Sequence, residues 1–285
     1  MATTEAPAPI FDPQNPNILR WPDIGLTLSM LDFINETEEA AMIDAFHARD
    51  PLSDSMLAKR RRISQHFGHH FDYTTFGASD THLTPLPPYI TSFLPRLPTF
   101  QDCLPPEQFT IQYYPPGSGI PPHVDTHSLF AEPLYSLSFG GAVPMQFRPV
   151  GPNDARKMRL PKRSIQSQAP GQDTQEEGSV APAEPSSTVP SEWAEAAAPC
   201  WELVLPPRSL LLMTGSSRYG YTHAIRPRKT DVIDGRTMPR QGRYSITMRK
   251  VRRGEEIGCD CAYPGVRDAR IREEMEAARS SSAGR

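Results

Sequence analysis

From Phe109 onward the chain breaks into short apolar-rich runs punctuated by Pro and Gly: FTIQYY, YSLSF, MQF, WELVL, SLLLM and RYSITM. In the last of these, Tyr244, Ile246 and Met248 alternate with Ser245 and Thr247, the period of a half-buried strand. The runs lack the helical spacing that parallel-sheet crossovers require, so they predict a sandwich or barrel. A chain of 285 residues is long enough to bury a substantial core in that form.

Flanking segments complete the plan. MATTEAPAPIFDPQNP, residues 1–16, is Pro- and Ala-rich and is expected to be a flexible tail. In FINETEEAAMIDAFHAR, Asn35 can cap a helix with Glu38 closing a capping box, and Met42, Ile43 and Phe46 form its apolar stripe. The fold class is therefore α+β. Residues from about 152 to 199 have the Pro-, Ser- and Glu-rich composition of a disordered insertion, which interrupts one domain spanning 17–267. Residues 268–285 read as an exposed helix or tail. No internal repeat is visible.

The formal charge of −3 gives no global sign of a nucleic-acid binder. Its distribution is more telling, because six acidic residues and no Lys or Arg lie between Gln166 and Cys200, leaving the remainder net basic. Basic runs stand out at Lys59–Arg62, Arg156–Arg163 and Arg226–Lys229, and either a solvated face or a phosphate-binding surface would carry them. Four cysteines and no apolar leader point to a reducing compartment, cytoplasmic or nuclear, and no run is long enough to span a membrane.

The chemistry concentrates in PPHVDTHSLF, Pro121 to Phe130. On an extended strand His123, Asp125 and His127 would share one face. Surface histidines at a strand end would spell the same pattern. Two His and one carboxylate with open positions make a redox-iron site. His123 and Asp125 supply two ligands, and His223, just after a buried-looking strand, is the candidate for the third. The cluster His66, His69 and His70 precedes the strand region and would need another geometry. Arg243 and Arg249, six apart, share a strand face, from which an Arg can bind a carboxylate bidentately.

The order of H-x-D, a distal His and R-x5-R resembles the AlkB family of iron(II)/2-oxoglutarate dioxygenases, most of all its branch that hydroxylates wobble uridines in tRNA. The matching stretches are RRISQHFGHHFDY, QYYPPGSGIPPHVDTHS, RSLLLMTGSSRYGYTHAIRPRKTD, GRYSITMRKVR and CDCAYP, between roughly Leu28 and Val266 and excluding the insertion. The resemblance implies a double-stranded β-helix (jelly-roll) core with flanking N-terminal helices. It implies Fe(II) on His123, Asp125 and His223, with the distal carboxylate of 2-oxoglutarate on Arg243 and with Arg249 supporting the cosubstrate or the substrate side of the pocket. Tyr114 falls at a cosubstrate-binding tyrosine, while Gln112 stands where the family commonly has Asn. A structural zinc on His127, Cys259 and Cys261 is also implied, although Arg267 stands at its last cysteine, so that Cys103 or Cys200 would have to supply a fourth ligand.

Such an enzyme would couple 2-oxoglutarate decarboxylation to oxidation of a C–H bond on a modified nucleobase, foremost a carboxymethyl-type wobble uridine. The alternatives are oxidative demethylation of alkylated DNA or RNA, and a non-catalytic RNA-binding module. The expected partner is tRNA or another single-stranded nucleic acid, presented with the help of a tRNA-binding or methyltransferase protein.

Overall fold

The computed structural model describes residues 7–49, 62–72, 77–99, 104–127, 129–151, 200–252 and 263. Their elements are β1 (Ile10–Phe11), β2 (Ile18–Trp21), β3 (Leu26–Ser29), α1 (Glu36–Arg49), β4 (Ile63–Asp72), β5 (Gly77–Thr84), α2 (Pro88–Thr91), β6 (Gln108–Tyr114), β7 (Ile120–His123), β8 (Leu134–Gly140), β9 (Val143–Pro149), β10 (Trp201–Leu205), β11 (Ser209–Met213), α3 (Gly215–Tyr219), β12 (Tyr221–Ile225), β13 (Thr230–Ile233), β14 (Arg236–Pro239) and β15 (Arg243–Arg249). A nine-stranded sheet runs β1-β2-β3-β11-β8-β15-β6-β4-β5, a four-stranded sheet runs β10-β9-β12-β7, and β13-β14 form a separate hairpin. Every pairing is antiparallel. From β6 to β15 the chain crosses between the two larger sheets as a jelly roll, the double-stranded β-helix expected from the sequence.

Strand alternation sorts the large sheet's side chains into two layers. Phe109, Ile111, Tyr135, Leu137, Phe139, Leu210, Leu212, Tyr244, Ile246 and Met248 join Met42 and Phe46 of α1 in one core. Leu134, Leu211 and Met213 belong to a second core with Val143, Met145, Phe147 and Leu205 of the small sheet. The polar positions of β15, Ser245 and Thr247, do not face solvent as a half-buried strand would place them. They line a cavity between the sheets.

The helix that closes the first core begins as its sequence predicts: Asn35 N–H donates to Glu38 Oε2 at 2.8 Å, and Glu38 N–H returns to Asn35 Oδ1 at 2.9 Å. At its other end, Gln65 Nε2 donates to the Phe46 carbonyl at 3.0 Å and ties α1 to β4. Gly68 is demanded by the path of β4: its φ is +74°, and a Cβ there would lie 1.9 Å from the Glu107 carbonyl oxygen.

The flexible tail expected over residues 1–16 does not extend that far. Ile10 and Phe11 pair with Arg20 and Leu19, Asp12 Oδ1 accepts from the Gln14 and Asn15 amides, and the Trp21 indole donates to the Pro7 carbonyl at 3.0 Å. An Asx turn at Asp12 reverses the chain, which a composition-based reading overlooks. The insertion at 152–199, the C-terminal 268–285 and the basic runs at Lys59–Arg61 and Arg156–Arg163 lie outside the described residues.

Candidate active site

β7 and β12 are neighbours, and their register sets His123 directly opposite His223, with ring centroids 4.3 Å apart. Asp125 follows two residues beyond the end of β7, and its Oδ2 lies 3.5 Å from His223 Nε2. One ligand atom from each residue lies within 4.8 Å of those from the other two. His123 Nδ1 is 2.9 Å from the Pro121 carbonyl oxygen. That oxygen can only accept, so Nδ1 carries the proton and Nε2 keeps its lone pair for a metal.

Electrostatics hold the triad ready to bind a cation. Burial alone would raise the Asp125 carboxyl, but Arg249, with His223, His123 and Arg218, outweighs it and holds the group well below the usual carboxylate range. His223 is pushed down to about 3, first by burial and then by His123, and burial also lowers His123. Both imidazoles are therefore neutral and the carboxylate ionised near neutral pH, the protonation states in which these groups coordinate metals.

Arg249, expected to support the cosubstrate, lines the cavity beside the triad and grips the metal-binding carboxylate: Nε and Nη2 reach Asp125 Oδ1 at 2.8 and 2.6 Å. Its Nη1 donates to Gln108 Oε1 and Thr110 Oγ1 at 2.9 and 3.1 Å. Arg218 is a residue the sequence reading missed. It is 2% exposed and donates to the carbonyls of Asp125, Thr126 and Phe130 at 2.9–3.0 Å, which shapes the loop after β7. Nothing in one sequence marks it except its place five residues before His223.

A cavity of about 240 Å³ is lined by the triad and by Arg243, Tyr114 and Gln112. Arg243 is 3% exposed, donates to Ser138 Oγ at 2.8 Å and leaves Nε without a partner. Burial pushes its pKa down to about 10, against a smaller raising effect of Tyr114. A guanidinium buried without a carboxylate is costly by itself and becomes favourable once an anion pairs with it. A small dicarboxylate, one end on a metal at the triad and the other on Arg243, meets that requirement. Tyr114 Oη donates to Gln112 Oε1 at 2.5 Å, so the glutamine does reach the tyrosine despite its extra methylene.

The expectation that His127 shares a strand face with His123 and Asp125 fails, because β7 ends at His123. His127 is instead buried beside the Tyr219 ring, with centroids 5.1 Å apart. Its expected zinc partners Cys259 and Cys261, along with Arg267 and Cys103, lie outside the described residues, while Cys200 is exposed. His66, His69 and His70 sit on β4 outside the triad.

A jelly roll whose His-Asp-His triad shares one cavity with a buried arginine that has no carboxylate partner among the described residues defines an iron and 2-oxoglutarate oxygenase. The family model of the 2OG-Fe(II) oxygenase superfamily matches residues 32–249, and the chain belongs to that family. Its cofactors are accordingly Fe(II) and 2-oxoglutarate. Similar curated proteins are AlkB homologues. The tRNA (carboxymethyluridine(34)-5-O)-methyltransferase alkbh8 of Xenopus tropicalis is 31% identical over 84% of this chain, which spans 33% of that protein. The alkylated DNA repair protein ALKBH8 homolog of Arabidopsis thaliana is 32% identical over 84% of this chain and 61% of its own length. The mouse alpha-ketoglutarate-dependent dioxygenase alkB homolog 4 is 31% identical over 73% of this chain and 64% of its own length.

Proposed function

We propose that this chain hydroxylates a carboxymethyl-type uridine at the wobble position of tRNA. The observation that carries the reading is its likeness, along 84% of its length, to a protein named for carboxymethyluridine 34 of tRNA. Because this chain spans a third of that protein, the methyltransferase activity in the name is not assigned to it. A separate tRNA-binding or methyltransferase protein would present the RNA, in the cytoplasm or the nucleus.

Bound iron would activate dioxygen at the expense of 2-oxoglutarate, and the protein's own residues orient and protect that chemistry. His123, Asp125 and His223 would hold the metal, Arg249 fixes the carboxylate's rotamer, and Arg243 would anchor the cosubstrate. Phe130, Leu134, Met145 and Met213 give part of the cavity an apolar wall that limits water. An unpaired anticodon base enters such a cavity without the cost of opening a duplex. At the rim, Gly117 N–H bonds the Arg228 carbonyl, and Arg240 donates to the carbonyls of Ser118 and Arg226, which packs the Arg226–Lys229 segment against the turn before β7. Exposed Lys229 would be available to a phosphate on that segment.

The experiment compares tRNA nucleosides by mass spectrometry from cells with and without the gene. Loss of a hydroxylated carboxymethyl-type uridine, with its precursor accumulating, is the expected result. The likeness to an Arabidopsis protein named for alkylated DNA repair favours a second reading, demethylation of alkylated nucleic acid. Unchanged tRNA nucleosides, together with removal of methyl groups from single-stranded DNA by purified enzyme, would replace the first reading with the second.

A further inference from the structure

The histidine cluster of β4 lies outside the triad, yet His66 is joined to it through side chains. Register places Gln108 of β6 opposite Arg249 of β15, and Thr110 of β6 opposite His66 of β4. Gln108 and Thr110, two apart on one strand, point to the same face, and both are buried, at 1% and 2% exposure. Four side chains from three neighbouring strands thus stand in a row: Arg249, Gln108, Thr110 and the half-buried His66.

The polarity of their hydrogen bonds is fixed from the arginine outward. Arg249 Nη1 can only donate, so the atom of Gln108 that meets it at 2.9 Å is Oε1, and the amide nitrogen turns to Thr110. Thr110 Oγ1 accepts from Gln108 Nε2 at 2.8 Å and from Arg249 Nη1 at 3.1 Å, which fills both of its lone pairs. Its own hydrogen is left for His66 Nδ1, 3.4 Å away. That ring nitrogen must accept, so His66 is neutral with its proton on Nε2. Burial first, then the neighbouring Arg249 and His70, lower the pKa of His66 and favour the same state.

This row answers a competition within the cavity. Arg243 and Arg249 both line it, and a dicarboxylate cosubstrate would attract either guanidinium. An arginine that swung from Asp125 to the cosubstrate would free Oδ1 and with it the rotamer of the carboxylate. With Nε and Nη2 on Asp125 and Nη1 on Gln108 and Thr110, Arg249 is held from both ends.

We propose that Thr110 and His66 are positioning residues of the iron centre: they keep Arg249 on the metal-binding carboxylate, with His66 as the acceptor that ends the row. Their role is the same whichever nucleobase the enzyme oxidises, and it does not depend on the wobble-uridine reading.

Dissociation constants for Mn(II) in place of iron, measured by calorimetry on the full chain without oxygen, test this, with the melting transition of each variant recorded alongside. Thr110→Val keeps the shape of the side chain and deletes its hydroxyl. Affinity should fall roughly threefold to tenfold, the effect of one hydrogen bond, and Thr110→Ser should recover it. His66→Leu should weaken binding likewise, and His66→Asn, whose Oδ1 can replace Nδ1 as acceptor, should recover most of the loss. In an Arg249→Ala background none of these changes should alter the affinity further, because no guanidinium remains to be positioned. Should Thr110→Val fail to fold, the two His66 variants decide in the same terms. Unchanged affinity in folded Thr110→Val and His66→Leu overturns the inference. An equal loss in the Arg249→Ala background also overturns it, because the substitutions would then reach the metal by another route. So does a His66→Asn variant no better than His66→Leu, since the histidine would be contributing bulk and not an acceptor.

Discussion

Arg249 and Asp125 form a buried ion pair in which one carboxylate oxygen, Oδ1, receives both guanidinium contacts, at 2.8 and 2.6 Å, while the other, Oδ2, turns toward His223. The arginine thereby fixes which oxygen is free to coordinate. Arg249→Ala removes that constraint and leaves a buried carboxylate to find a new rotamer. Metal affinity should fall about 10- to 100-fold, as it does when an outer partner of a ligand is lost. Calorimetric titration with Mn(II) in place of iron, without oxygen, measures it directly; unchanged affinity would mean that Arg249 serves the cosubstrate alone.

Arg243 differs in having no carboxylate partner among the described residues. Replacing it with Ala removes a charge-assisted bond of roughly 1.5–3 kcal/mol, so the 2-oxoglutarate concentration at half-maximal succinate formation should rise at least about tenfold. Metal affinity should not follow, because Arg243 touches none of the triad residues. An unchanged cosubstrate requirement would transfer the role to another cation of the cavity, with Arg62 the first to examine.

Arg218 acts on the backbone and not on a ligand atom. Its three bonds hold the carbonyls of Asp125, Thr126 and Phe130, and Arg218→Met would leave these buried acceptors short of donors. The loss is expected to destabilise the fold by about 3–5 kcal/mol, read as a lower midpoint of chemical denaturation. At a denaturant-free temperature where the variant is folded, its metal affinity should also be reduced, because Asp125 is no longer held at a fixed distance from His123. A stable variant with full metal affinity would show that the loop holds its shape without the arginine.

These three arginines also mark the limit of what was legible in the sequence. The strands of the jelly roll and the capping box at Asn35 and Glu38 are local patterns, and each is present where its pattern lies. The triad was legible because a two-residue spacing brings His123 and Asp125 near each other and a later strand supplies His223. The same alternation misplaced His127, because its continuation as a strand is stopped by Arg218, 93 residues away in sequence. The role of Arg249 depends on cross-strand register, which side chains within one strand do not reveal. The fold of residues 10–16 was hidden by a composition typical of tails, although the Asx turn at Asp12 was available to be read.

The insertion gives the last prediction. β9 and β10 pair as neighbours from Val143↔Leu205 to Phe147↔Trp201, so residues 152–199 join the two arms of one antiparallel hairpin. The arms carry Val143, Met145, Phe147, Leu203 and Leu205 of the second core, and their pairing is complete without the connection. Closing a long flexible loop costs little more than closing a shorter one, roughly 0.6 kcal/mol per doubling of length. Replacing residues 165–198 with a six-residue Gly/Ser linker approximately halves the loop, so the melting temperature should change little and any shift should be upward. Succinate formation from 2-oxoglutarate without nucleic acid should persist at the rate of the full chain, because the triad, Arg243 and Arg249 all lie outside the deletion. Loss of metal binding in a shortened protein that still melts cooperatively would mean that the insertion supports the site, and that its composition is a poor guide to its role.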